Sequence, residues 1–185
     1  MFNEEKVAQM AGYLLKKRGG RMNLLKLMKL LYLCDRESMN LYDEPMSNDL
    51  WFSLDHGPIL SRTYNLMNGS SDKPNEGWNK WISDRENHDL SLNFEPNEAD
   101  FSELSIADLK IMDSVYDKFG HYSRWELEKY THDSCPEWTD PKGSSIPIDP
   151  LFLFKKLGRS PEQLANLSEW IKELDEMDKI ACQMR

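Results

Sequence analysis

The chain has 185 residues, a formal net charge of −9 and 39% apolar residues. That length suits one domain whose core is large enough to need neither a metal nor a disulfide. The acidic balance argues against a general nucleic-acid binder, because phosphate contacts need clustered cations, and no run approaches the ~18 apolar residues of a membrane span.

The first predicted element is a helix over Glu4–Arg18. Asn3 suits its cap, Glu4 and Glu5 its positive end, and Val7, Met10, Ala11, Leu14 and Leu15 form one stripe. Gly19 and Gly20 stop it by supplying left-handed geometry. A second helix, from about Asn23 to Leu41, carries LLKLMKLLYLCDR and is apolar on nearly every side, so other elements must enclose it. NDLWFSLDH (Asn48–His56) is short, aromatic and bounded by turn residues, which predicts a strand. Gly57-Pro58 then opens a third helix, since the donor that proline lacks is not needed in a first turn. Ile59, Leu60, Tyr64 and Met67 give that helix its buried side, and Gly69 ends it.

DLSLNF (Asp89–Phe94) alternates apolar and polar residues and is expected to pair with the 48–54 strand. Two capping boxes follow, Ser105 with Asp108 and Ser123 with Glu126. The first leads to Leu109, Met112, Val115, Tyr116 and Phe119, with Gly120 as the stop; the second leads to Leu127 and Tyr130. Asp149-Pro150 begins a short apolar turn or helix. Ser160, Pro161 and Gln163 start a last helix striped by Leu164, Leu167, Ile171, Leu174 and Ala181. The fold class is therefore mainly α: a single compact helical domain of about six or seven helices with a short two-stranded antiparallel ribbon.

Chemistry is sparse. The four histidines are scattered without an HExxH pair, and His132 with Cys135 lacks the second pair a metal site needs. No phosphate-binding glycine loop and no GxSxG elbow occurs. No metal, cofactor or enzymatic activity is expected; an enzyme would need Asp35, Arg36, His56 and His132 to converge in one pocket. Cysteines 34, 135 and 182 are far apart, and the opening MFNEEKVAQM lacks the basic region of a signal peptide, so a reduced cytoplasmic location is expected. Six bases and no acid lie between Lys16 and Lys29, and seven acids and one base between Asp84 and Glu103. Solvated faces are the plain reading of both; the alternative is a basic strip that steers an acidic or RNA-bound partner.

Two polar groupings remain. Lys29, Asp35 and Arg36 interrupt the apolar helix and must be paired if enclosed. In YTHDSCPEW (Tyr130–Trp138), Thr131 or His132 can bond the backbone at the helix end, Pro136 forbids continuation and Trp138 packs back. Trp51 and Trp138 are assigned to the core, whereas Trp78 and Trp81, set in a polar segment, are the expected partner contacts.

These residues resemble the Panacea domain of SocA-like antitoxins and phage-associated proteins. The first part of the pattern is Lys29, Leu30, Leu31, Tyr32, Leu33, Cys34, Asp35 and Arg36, and the second is His56, Gly57, Pro58 and Ile59 followed by Tyr64. The third is Leu127, Tyr130, Thr131, His132 and Pro136, with Trp138 displaced one place by Glu137. The resemblance implies an antitoxin of a toxin–antitoxin module that neutralises a cognate toxin by direct binding. It also implies a second mode, in which an adaptor delivers the toxin to an ATP-dependent protease. Some family members add a DNA-binding domain, which is not expected before Glu4.

Overall fold

The computed structural model describes residues 2–71, 75–83 and 86–183, with α8 side chains described for 161–173 and 176. Helix α1 (Glu4–Lys17) starts where Asn3 accepts from Lys6 N. It ends at Gly19 and Gly20, whose φ of +90° and +91° is the left-handed turn expected there. A three-residue strand β1 (Arg21–Asn23) leads into α2 (Leu24–Tyr42). All ten residues from Lys26 to Asp35 are buried, as the all-round apolar pattern demands. Helix α1, three of the later helices and one hairpin strand pack around it.

The chain next forms a hairpin where a strand and a helix were expected. Strand β2 (Trp51–Leu54) pairs antiparallel with β3 (Gly57–Leu60), leaving Asp55 and His56 as a two-residue loop. Gly57-Pro58 therefore opens a strand. Gly57 supplies the φ of +95° that the tight reversal needs, and Pro58, on an edge strand, sacrifices no ladder bond. Helix α3 (Ser61–Met67) begins only after it, so Ile59 and Leu60 are buried from the strand. No side chain caps α3 locally; Asp49 reaches across instead, accepting from Arg62 N at 2.9 Å and Thr63 N at 2.8 Å.

Helix α4 (Gly77–Trp81) is followed by β4 (Asp89–Ser91), which pairs with β1 and not with the 48–54 strand. The remaining elements are a 3-10 turn (Glu98–Asp100), α5 (Ile106–Phe119), α6 (Arg124–Ser134), β5 (Ile146–Pro147), α7 (Pro150–Lys156) and α8 (Pro161–Gln183). Strand β5 adds to β2, giving a three-stranded sheet of order β3-β2-β5. The protein is thus mainly α, with eight helices and two small antiparallel sheets among the described residues. Both capping boxes form as read, and Leu164, Leu167 and Ile171 pack on the core; the side chains of Leu174 and Ala181 lie outside the described residues.

Trp78 and Trp81 are core residues, contrary to expectation, at 2% and 0% exposure. Helix α4 docks on the first turn of α1: Glu4 accepts from Trp78 N at 3.1 Å, and Glu5 accepts from Trp81 Nε1 at 2.8 Å. The Trp81 ring lies against Gly12, where a Cβ would come within 2.7 Å of it, and packs on Phe94 and Phe101. Much of the basic strip is also tied up within the fold, although Arg18 is exposed. Lys26 and Lys29 are buried, Lys17 pairs with Asp113 at 2.6 Å, and Arg21 pairs with Asp89 at 3.0 Å.

Candidate functional site

The three separated motifs meet at one junction between α2, the β2–β3 hairpin and α6. On α2, Lys29, Tyr32 and Arg36 follow a helical spacing of three and four residues and so share one face. That face meets the corner after α6.

Lys29 is fully buried, and its Nζ donates to the Pro58 carbonyl at 2.8 Å. Among the described residues no carboxylate bonds it; burial pushes its pKa down to about 7, only partly opposed by the charge of Glu128. The hairpin backbone approaches so closely that a Cβ on Gly57 would sit 2.8 Å from both Lys29 Nζ and Thr131 Oγ1, and 3.2 Å from the His132 ring. Glycine is needed here for space as well as for its positive φ.

Tyr32 donates its hydroxyl to Glu137 Oε1 at 2.5 Å, and Arg36 Nε donates to the same oxygen at 2.7 Å. Glu137 is 3% exposed. Burial, together with the Glu137 charge, pushes the Tyr32 pKa well up, so the phenol keeps its proton. Asp35, on the other side of α2, accepts from Ser47 N at 2.7 Å, from the Ser47 hydroxyl and from Trp51 Nε1 at 3.2 Å. Burial nevertheless outweighs those donors and raises its pKa to about 6. Asp35 and Arg36 are therefore not partners of each other: successive residues face apart, and each finds its own counterpart.

The α6 corner is built as the sequence suggested. Thr131 Oγ1 donates to the Glu128 carbonyl at 2.9 Å, and Cys135 to Trp138 forms a turn with exposed Pro136 at its second position. Trp138 folds back to stack on His132, with centroids 3.9 Å apart and planes 7° apart, and donates Nε1 to the Leu54 carbonyl at 3.0 Å. Stacking buries His132 Nε2, which has no hydrogen-bond partner among the described residues; burial lowers the pKa of that imidazole. His56 stands apart at the hairpin tip, exposed and 2.9 Å from Glu128.

The structure thus gathers Lys29, Tyr32, Asp35, Arg36, Gly57, Pro58, Thr131, His132, Pro136 and Trp138 about one junction, with His56 at its rim. Glu137 was the residue sequence reasoning missed. Reading it as an insertion that displaced Trp138 hid its role as the acceptor for Tyr32 and Arg36. An arginine carried on an otherwise enclosed helix, and so in need of a carboxylate, was the signal available for it.

A family model for the SocA-like antitoxin, Panacea domain matches residues 27–139. The chain belongs to this family. All of the junction residues fall within the matched span of the Panacea domain, whereas β5, α7 and α8 follow it. No curated protein and no solved structure matches the chain.

Proposed function

We propose that this protein is an antitoxin that neutralises a cognate toxin in the cytoplasm by direct protein–protein contact, with no catalytic turnover. Membership of the Panacea family carries this reading. The inward-facing motif supports it. Its carboxylates and cations bond Ser47, Trp51, Pro58 and one another instead of converging on an open cleft. Such an arrangement fixes a frame on which a surface can be displayed.

Co-expression tests the reading. The protein is expected to restore growth to cells expressing the product of its neighbouring gene and to co-purify with that product. Failure of both rescue and co-purification overturns it. Under sequestration, the toxin's half-life is unchanged by the antitoxin; a shortened half-life assigns the chain to protease delivery instead.

A further inference from the structure

A groove crosses the molecule away from the motif junction. Trp170 of α8, with Pro45 and Asn48, lines both of its compartments. One compartment, of about 320 Å3, is walled by Leu50, Trp51, Phe52, Ile148 and Phe154. The other, of about 650 Å3, has Tyr42 and Met46 in its wall and carries Glu44, Glu103 and Asp108 against one cation, Lys6. Lys6 is held by Asp108 at 3.2 Å and Glu103 accepts from the neutral Asn3 amide at 2.8 Å, so among the described residues no cation is paired with Glu44 or Glu103 in that wall. Exposed Glu169, Glu173 and Glu176 extend the acidic character along α8. Leu50 is 53% exposed at the apolar compartment, a large aliphatic side chain left in water beside a concave wall.

We propose that this groove receives a basic segment of a partner protein. A bulky apolar side chain enters the compartment beside Leu50, and a neighbouring lysine or arginine meets Glu44 and Glu103. The partner's identity as a toxin rests on the antitoxin reading above; the chemistry of the segment does not. Charge complementarity selects this occupant. A second copy of the chain brings another acidic face and a net charge of −9, and an anionic lipid surface is repelled in the same way. A purely apolar small ligand would leave the acidic compartment unused. An apolar anchor with charged neighbours is the usual composition of a protein hot spot and its rim.

The test uses the full chain and two fluorescein-labelled peptides, one alternating Trp and Leu with Lys, the other alternating them with Glu. Anisotropy is read at low and at physiological salt. The Lys peptide is expected to bind, to weaken with salt, and to lose about tenfold in affinity when Glu44→Lys is combined with Glu103→Lys. The neutral Leu50→Ser variant, which removes the apolar anchor point without adding charge, is expected to bind it as weakly. Equal affinity for both peptides, an unchanged affinity in the double variant, or no binding of the Lys peptide overturns the proposal. Glu44→Gln with Glu103→Gln serves the same purpose if charge reversal unfolds the chain. Growth rescue then separates the two readings. A wild-type chain that binds the Lys peptide but neither rescues growth nor co-purifies with the neighbouring product sinks the antitoxin reading alone. A double variant that rescues as well as wild type sinks the groove alone.

Discussion

The motif junction and the α8 groove use charge in opposite ways. At the junction, Glu137, Lys29 and Asp35 are withdrawn from water and, with the partly exposed Arg36, are bonded to partners at 2.7–2.8 Å. At the groove, Glu44 and Glu103 line an open wall beside exposed Leu50. The junction lies within the span that identifies the family, and the groove takes about a quarter of its lining residues from elements after that span. The contrast teaches that a family signature can specify how a body is braced while saying little about what the body grips. Buried paired charges contribute uniqueness of arrangement more than stability, and removing one partner is far more damaging than never having had the pair.

The largest expected effect follows directly. Glu137→Ala leaves the Arg36 guanidinium and the Tyr32 hydroxyl without their shared acceptor and should destabilise the fold by about 4 kcal/mol in urea unfolding. A loss below about 1 kcal/mol would show that the junction is not braced as described. Gly57→Ala comes next, at about 2 kcal/mol, because it adds a Cβ at positive φ against Lys29 and Thr131.

The pH dependence sharpens the same contrast. Lys29 gives up its proton at about 7 in the folded chain and at its ordinary 10.5 when unfolded. The unfolded chain therefore holds more protons between those values, and stability rises with pH across that window, by up to about 1.4 kcal/mol per unit. Asp35 has the opposite sign. Its folded pKa of about 6 lies above the ordinary 3.8, so its contribution falls as pH rises through that interval. Lys29→Met should flatten the upper slope and Asp35→Asn the lower one, each read as a difference from wild type in thermal melts. The smallest effect belongs to the groove: Leu50→Glu should change stability by no more than about 0.5 kcal/mol.

Local signals were legible where the causes are local. The boxes at Ser105 and Ser123, the Gly19-Gly20 stop and the buried rod of α2 each follow from neighbours within a turn or two of helix. The errors share the opposite cause. Gly57-Pro58 reads as a helix opening, because proline suits a first turn and a hairpin edge equally well; the pairing of Trp51 with Leu60 decided between them. Trp78 and Trp81 sit in polar surroundings along the chain, but Glu4 and Glu5, more than seventy residues earlier, draw them inward. Glu137 finds Arg36 across a separation of 101 residues, beyond anything spacing could reveal. The groove depends on Pro45, Trp170 and Glu103 coming together from three distant segments, so spacing along the chain could not assemble it.

The three-stranded sheet has one further consequence. Pro58 stands on one margin with its outward carbonyl occupied by Lys29, and on the other margin β5 carries Pro147, next to an Ile148 whose N–H is spent on Trp51. Neither border offers a free run of donors on which a foreign strand could nucleate. Edge-to-edge pairing of this sheet with a foreign strand is therefore disfavoured at both margins.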